Sequence, residues 1–253
     1  MPKFSANLSV LFTELPLLER FSAAQAAGFS AVEVLFPYEE DAADIQAALV
    51  QSQLDLVLIN TPRLFSDRQP GGLAAIPGGE DLFRQDLKLA LHYAEVLGAG
   101  KVHIMAGVTS DLAARTTFVK NLTWATQYAP TQNFTIEPLN NFDMPGYFLN
   151  NFDLAADVLD EVDRPNIGLQ FDTYHAHQIT GDVGTCWLSH GGRARHIQIA
   201  GIPDRHEPTG GLFDYPSFFD LLDETNYSGY VSAEYHPANS TTNGLGWLPK
   251  PRN

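Results

Sequence analysis

The chain has 253 residues, with 15 Lys and Arg against 30 Asp and Glu, which gives a formal net charge of −15 at neutral pH. Its hydrophobic residues, 44% of the total, are too many for a disordered chain and predict a substantial buried core. The acidity argues against nucleic acid as a partner, because phosphate binding requires a concentrated basic surface. A single cysteine excludes an internal disulfide, and the sequence pattern contains no signal peptide or apolar membrane span, so we expect a cytoplasmic protein without a membrane partner.

Short segments rich in β-branched and aromatic residues recur along the chain and predict eight strands. They begin at Phe4, Ala31, Leu54, Lys101, Asn133, Asn166, Arg195 and Tyr230. Amphipathic stretches with helical spacing lie between them, for example residues 16–27, 41–51, 80–97 and 155–162. Gly28 and Gly98 follow two of these stretches, where a helix commonly ends in a left-handed residue.

Eight strand–helix repeats of about 32 residues each predict a (β/α)8 TIM barrel, an α/β fold, as one domain over residues 1–253. The alternative is an open, doubly wound sheet, but no glycine-rich nucleotide turn follows the first strand. Residues 60–79 are rich in turn formers and predict a long loop over the barrel mouth. Residues from about 237 onward predict an extension that lies against the barrel, and its aromatic side chains offer a contact for a homo-oligomer.

Four consecutive strands in the second half of the chain end in oxygen-bearing side chains. These are Glu137, Asp172, Gln198 and Glu234, each about one repeat after the last. A barrel brings the carboxyl ends of its strands to one face, so the four side chains are expected to converge. Three close carboxylates require a cation, and an all-oxygen set suits Mg²⁺ or Mn²⁺ better than Zn²⁺. The pattern therefore predicts a divalent metal site.

Cationic and histidine side chains surround this set. His175 lies three residues after Asp172, at the start of an expected loop. Arg205, next to His206 in the turn after the seventh strand, suits a carboxylate ligand, with a surface salt bridge as the alternative. His103 is either a buried structural histidine or a residue of the barrel mouth. The other polar strand-end and loop residues are expected to be structural, namely Asn7, Glu33, His177, His190, His196 and Cys186.

Several separate motifs resemble one family. They are FSANLSVLFTELPLLERFSAAQAAGFSAVEVLFPY, IEPLNNFDMPGYFL, FDTYHAHQ, HIQIAGIPDRHEP and AEYHP followed by GLGW. Together they resemble the hydroxypyruvate isomerase family of xylose-isomerase-like TIM barrels over essentially the whole chain. The resemblance implies Glu137 and Glu234 as the catalytic pair, and Glu137, Asp172, Gln198 and Glu234 as ligands of Mg²⁺ or Mn²⁺. It places His175, Arg205, His206 and His103 on the substrate side.

The activity that the resemblance implies is the interconversion of hydroxypyruvate and tartronate semialdehyde by proton transfer through an enediolate, with a hydride shift as the competing path. The substrate would be a small anionic hydroxy-keto acid or sugar acid. A 2-oxo-tetronate isomerase remains an alternative, because NTP, HIMAGV and GIPDRHEP favour that branch whereas IEPLNNFDMPGYF favours hydroxypyruvate. A ketose 3-epimerase would carry His rather than Gln198. A non-catalytic ligand-binding barrel is the alternative from a different class.

Overall fold

The computed structural model describes residues 2–62 and 71–248. Its strands are β1 (Lys3–Asn7), β2 (Ala31–Glu33), β3 (Asp55–Asn60), β4 (Lys101–His103), β5 (Asn133–Ile136), β6 (Ile167–Asp172), β7 (Ala194–Ile199) and β8 (Tyr230–Ala233). Its α-helices are α1 (Leu17–Ala26), α2 (Ala42–Ser52), α3 (Glu80–Leu97), α4 (Ala114–Tyr128), α5 (Phe152–Val162), α6 (Thr173–Thr180), α7 (Val183–His190) and α8 (Tyr215–Glu224).

The strands close into a parallel barrel in chain order, with β1 pairing with both β2 and β8. This confirms the predicted (β/α)8 barrel as a single domain. Glycine ends two helices as expected: Gly98 has φ 67° directly after α3, and Gly28 has φ 97° two residues after α1 ends. In the described part of the chain, no helix combines the length and the hydropathy that a bilayer span requires.

One local prediction is wrong, because His175 lies in a helix and not at the start of a loop. Helix α6 begins at Thr173, immediately after β6. The Asp172 side chain is its N-cap, since Oδ1 accepts a hydrogen bond of 2.9 Å from the backbone N–H of His175. An acidic N-cap satisfies a helix donor that would otherwise lack a partner. The cap therefore fixes the Asp172 carboxylate and the His175 side chain relative to each other.

The interior of the barrel contains buried polar side chains from β1, β2 and β5 to β8. Alternate residues of a strand share a face, so the residue two positions before each strand end also points inward. The buried polar side chains of these strands include Ser5, Asn7, Glu33, Thr135, Gln170, His196, Gln198 and Ser232. This polar layer supports the strand-end residues from below, while apolar side chains pack between the barrel and its helices.

The two segments without strand–helix alternation pack on the barrel where they are described. Of the expected loop at 60–79, residues 63–70 lie outside the described residues, and Gly72 forms an antiparallel bridge with Ala106 after β4. A Cβ atom at Gly72 would stand 2.5 Å from the Met105 carbonyl oxygen, so this approach requires glycine. In the C-terminal extension, Trp247 packs edge-to-face on Phe4 at 5.4 Å between ring centroids. A homo-oligomer contact through this extension stays a prediction.

Candidate active site

A cavity of about 200 Å³ lies at the carboxyl ends of the strands. It is lined by Leu35, Phe36, Asn60, His103, Met105, Glu137, Leu139, Asp143, Met144, His175, Arg205 and Glu234. Concavities of about 420, 450, 730 and 780 Å³ are larger, but no residue at the carboxyl end of a strand lines them. Barrel enzymes place their chemistry at those strand ends, so the smaller cavity is the candidate active site.

In the part of the chain that the structure describes, one guanidinium group stands among the carboxylates of this site. Arg205 Nη2 donates to Glu234 Oε1 at 3.3 Å and lies 3.9 Å from Asp172 Oδ2, while Nη1 lies 3.5 Å from Asp143 Oδ2. The guanidinium carbon is 4.9 Å from the centroid of the Tyr174 ring, a cation–π arrangement. Arg205 has φ 57°, a left-handed conformation that is uncommon outside glycine and that occurs at functional sites. The surface salt bridge expected as the alternative for Arg205 is thus not what the structure contains.

Burial and mutual repulsion raise the pKa of each strand-end carboxyl. The pKa of Glu137 lies well above its usual range because of burial first and then the charges of Glu234 and Asp172. Burial raises the pKa of Glu234 to about 8 and that of Asp172 to about 6, although Arg205 opposes both shifts. For Arg205 itself, burial lowers the pKa, but the surrounding carboxylates outweigh it and the net shift is upward. The site therefore holds more carboxylates than one arginine neutralises.

The donor set fits a divalent metal ion. Glu137, Asp172 and His175 each offer an atom within 4.8 Å of the others. Among the described residues, Asp172 Oδ2 is buried and has no hydrogen-bond partner, which leaves a carboxylate oxygen available for a cation. Glu234, the third predicted carboxylate, stands nearby in contact with Arg205. Three of the four predicted ligands thus stand together at the strand ends.

Gln198, the fourth predicted ligand, lies in the polar layer beneath the cavity. Its Oε1 accepts from Gln170 Nε2 at 2.7 Å, and its Nε2 donates to Glu33 Oε1 at 2.8 Å. Gln170 Nε2 also donates to Glu137 Oε2 at 2.9 Å, so one amide group connects two of the predicted ligands. Glu33 Oε1 also accepts a hydrogen bond of 2.7 Å from Asn7 Nδ2. Gln170 was missed from the sequence, although its place two residues before Asp172 in a strand is the signal for it.

His103 lines the cavity and contacts a catalytic candidate. Its Nδ1 lies 3.2 Å from Asn60 Oδ1 and 3.7 Å from Glu137 Oε2. The nearer of the two, Asn60 Oδ1, is an acceptor, which favours a proton on Nδ1 of the neutral ring. Burial lowers the pKa of His103 to about 3, helped by the proximity of His196 and His175. His103 is therefore a neutral donor at this site.

The structure does not bring His206 to the cavity wall. Its side chain is exposed, and Nδ1 donates to the carbonyl oxygen of His236 at 2.7 Å. The neighbouring Arg205 enters the site instead. A substrate contact for His206 stays a prediction.

Sequence analysis missed three polar residues of the site. Asn140 and Asp143 lie within the family motif IEPLNNFDMPGYFL, and Asn60 is the last residue of β3.

Comparison with known proteins gives consistent matches over the whole chain. The family described as xylose isomerase-like TIM barrel matches residues 21–250. A 2-oxo-tetronate isomerase from Cupriavidus necator is 44% identical over 254 residues, and a hydroxypyruvate isomerase from Escherichia coli is 35% identical over 254 residues; each match covers 98% of both chains.

Solved structures also match the chain over nearly its whole length. A Brucella melitensis protein described as AP endonuclease, family 2, has a TM-score of 0.96 and 42% identity over the full length of both chains. A 3-keto-D-glucoside 4-epimerase from Escherichia coli has a TM-score of 0.81 with 98% of this chain and 99% of that chain covered, and its 19% identity shows the fold alone. The chain belongs to the xylose isomerase-like TIM barrel family, and it is an aldose–ketose isomerase that acts on a small molecule.

Proposed function

We propose that this isomerase moves a carbonyl group between C2 and C3 of a short 2-oxo acid that carries a hydroxyl group on C3, with a divalent metal ion bound. The observation that carries the proposal is the meeting of Glu137, Glu234 and Arg205 in one cavity at the strand ends. Two glutamates can exchange protons with adjacent carbons of a substrate, and an arginine suits its carboxylate.

The metal-binding residues that we propose are Glu137, Asp172, Glu234 and Gln198. The unpartnered oxygen of Asp172 supports this set, and oxygen donors favour Mg²⁺ or Mn²⁺. An amide oxygen has two lone pairs, so Gln198 Oε1 can accept from Gln170 and still face a cation. When bound, the metal supplies positive charge that stabilises the oxygens of an enediolate.

Glu137 and Glu234 are proposed to move the protons. They follow β5 and β8, so they approach the cavity from different sides of the barrel. Their raised pKa values suit groups that must both accept and return a proton near neutral pH. One glutamate removes the proton from the hydroxyl-bearing carbon, and the other returns a proton to the carbon that held the carbonyl group. Between these steps the hydroxyl proton passes to the oxygen of the former carbonyl group, so that the two oxygens exchange their roles. A hydride shift is the competing path, and it would leave both carbons without solvent deuterium in D₂O.

Two substrates fit this reaction and differ by one hydroxymethyl group. Hydroxypyruvate, which gives tartronate semialdehyde, is the substrate implied by the sequence resemblance. The relatives favour 2-oxo-tetronate, since 2-oxo-tetronate isomerases from Cupriavidus necator and Haemophilus influenzae are 44% and 41% identical. A putative hydroxypyruvate isomerase from Mus musculus is 40% identical, and the hydroxypyruvate isomerase from Escherichia coli is 35% identical. We therefore take 2-oxo-tetronate as the first substrate to test and hydroxypyruvate as the second.

Other activities on this fold have less support. A ketose 3-epimerase is disfavoured by Gln198, and an endonuclease by the net charge of −15. A barrel that only binds ligands would not need two facing glutamates with raised pKa values.

The deciding experiment is a substrate panel on protein that has been treated with a chelator and then given Mg²⁺ or Mn²⁺. The panel contains 2-oxo-tetronate, hydroxypyruvate and a neutral ketose, with the Glu137→Gln variant as the inactive control. We expect metal-dependent turnover of at least one 2-oxo acid and little turnover of the ketose. Turnover of the ketose alone, or turnover that ignores the chelator, would contradict the proposal.

A further inference from the structure

The ring of His175 receives two hydrogen bonds on one nitrogen. Its Nδ1 lies 3.1 Å from the backbone nitrogen of Asn140 and 2.7 Å from Asn140 Nδ2. The backbone N–H is a donor, so Nδ1 accepts that bond. The side-chain contact is a second donor contact if the amide nitrogen of Asn140, and not its oxygen, faces the ring. The other hydrogen bonds of the amide group decide between these two orientations.

The loop itself fixes that orientation. Asn140 Oδ1 accepts hydrogen bonds of 2.9 Å from the backbone N–H groups of both Phe142 and Asp143. With its oxygen in this turn, the amide nitrogen must face His175, and it also lies 3.2 Å from Asp143 Oδ2, an acceptor. Every hydrogen-bonding position of the Asn140 amide group is therefore used, and both contacts on His175 Nδ1 come from donors.

Two donors on Nδ1 determine the protonation state of the ring. A proton on Nδ1 would point at two N–H groups, so the imidazolium form and the Nδ1–H tautomer are both excluded by this arrangement. The neutral ring carries its proton on Nε2. His175 lines the cavity, so the Nε2–H group belongs to a side chain of the cavity wall.

We propose that Asn140 is a positioning residue that holds His175 as a neutral Nε2–H donor to a substrate oxygen, and not as a metal ligand. A metal ligand needs a free lone pair, but Nδ1 uses its lone pair for Asn140 and Nε2 carries the proton. The identity of the oxygen rests on the proposed function, whereas the tautomer follows from the contacts alone. This role also leaves the metal site with oxygen donors.

The same amide group connects His175 to the arginine of the site. Asn140 Nδ2 contacts Asp143, and Asp143 Oδ2 lies 3.5 Å from Arg205 Nη1. One side chain thereby sets the direction of two groups that face the substrate. A short loop after β5 is thus sufficient to align a neutral donor with a cation.

Asn140→Asp is the informative variant. The aspartate keeps an oxygen for the backbone N–H groups of Phe142 and Asp143, but places a second oxygen against His175 Nδ1. The shorter of the two donor contacts on Nδ1 thus becomes an acceptor contact, which favours a proton on Nδ1 over the one longer contact to the backbone N–H that remains. Asn141→Asp is the matched control, because Asn141 is exposed and the substitution adds the same charge one residue away.

The test is ¹⁵N NMR of the histidine rings in metal-free, ¹⁵N-histidine-labelled protein, with the His175 signals assigned by their loss in His175→Gln. We expect a proton on Nε2 alone in the wild type and in Asn141→Asp, and a proton on Nδ1 in Asn140→Asp. A wild-type ring with its proton on Nδ1, or on both nitrogens, would overturn the assignment. If Asn140→Asp does not fold, the wild-type spectrum alone decides.

Kinetics then test the positioning role. We expect kcat/KM of Asn140→Asp to fall about 100-fold, as for the loss of one preorganised donor, and that of Asn141→Asp to stay within about twofold of the wild type. If the tautomer of His175 switches in Asn140→Asp but kcat/KM stays unchanged, the positioning role of Asn140 is overturned. The proposed function fails separately: a wild type that has the expected tautomer but isomerises no 2-oxo acid refutes the function and leaves the tautomer assignment intact.

Discussion

Replacement of Arg205 by methionine tests how far the carboxylates of the site depend on one cation. The guanidinium lies 3.3 Å from Glu234, 3.5 Å from Asp143 and 3.9 Å from Asp172. Methionine keeps a flexible apolar stem of similar length but removes the charge and its donors. The difference between the two proteins therefore reports mainly on charge.

The magnitude follows from these distances. At an effective dielectric constant of about 20, each contact is worth about 4–5 kcal/mol of attraction, most of which desolvation offsets. Loss of one partner from a buried ion pair costs about 3–5 kcal/mol. Because the Arg205 side chain remains 22% exposed, we expect a smaller loss in the free energy of unfolding, about 2–3 kcal/mol at pH 8.

The loss should depend on pH in one direction. The pKa values of Glu234 and Asp172 are raised to about 8 and about 6, so both carboxyls take up protons in the folded state as the pH falls. A protonated carboxyl is neutral and has no ion-pair attraction to Arg205. Without the arginine their pKa values rise further, so the folded variant binds protons more tightly than the folded wild type. Its relative stability therefore improves as the pH falls, to a deficit below about 1 kcal/mol at pH 5.

Urea unfolding of the metal-free proteins at pH 5 and pH 8 measures this effect. The control is Arg193→Met, which removes an exposed ion pair of 2.7 Å to Asp160 and should cost less than about 1 kcal/mol at either pH. A deficit in Arg205→Met that is equal at both pH values, or no larger than that of Arg193→Met, would refute the reasoning. In activity assays, Arg205→Met should raise the KM for a 2-oxo acid and also lower kcat, since Arg205 contacts Glu234.

Three further outcomes are expected. Glu137→Gln and Glu234→Gln should each lower kcat by about 10³-fold or more with unchanged circular dichroism, and near-normal turnover in either would remove it from the catalytic pair. Isomerisation in D₂O should introduce deuterium at the carbon that becomes the carbinol, as mass spectrometry of a single turnover would show. Burial raises the pKa of Asp86 to about 6, above its unfolded value of about 3.9, so its ionisation destabilises the fold as the pH rises. Asp86→Asn should therefore raise the unfolding free energy by about 1–2 kcal/mol at pH 8 and hardly at pH 4. Asp81→Asn, which removes an exposed partner of Arg84, should raise it at neither pH.

The sequence predicted those features of the fold and the site that follow from the regular repeat of strands and helices. Strand spacing predicted the barrel, and the rule for strand ends brought Glu137, Asp172 and Glu234 to one face. The other contacts of the site are made by residues in turns, whose geometry no repeating pattern indicates. Asn140 reaches His175 only because its own oxygen closes a turn with the next residues, which residue types alone do not specify.

The side chains of two adjacent residues in such a turn can also point in different directions. Arg205 points into the cavity while His206 bonds to the carbonyl of His236 on the outside, and the left-handed conformation of Arg205 accompanies this change of direction. Asp172 shows a different difficulty, because one carboxylate is both a helix cap and a candidate ligand. Its position before α6 was a capping signal, but sequence analysis assigned the residue to the metal site alone.

The charge of the site connects the proposed metal to the proposed substrate. Among the described residues, Glu137, Asp143, Asp172 and Glu234 face one cation, Arg205, which gives a net charge of −3 when all are ionised. His103 and His175 add no positive charge, because burial lowers the pKa of each to about 3. An anionic substrate would therefore meet repulsion both from the surface of a chain with net charge −15 and within the cavity. A divalent cation would cancel two of the three excess charges and compete with Arg205 for Asp172 and Glu234. The guanidinium would then be available to a substrate carboxylate, so metal binding should precede substrate binding.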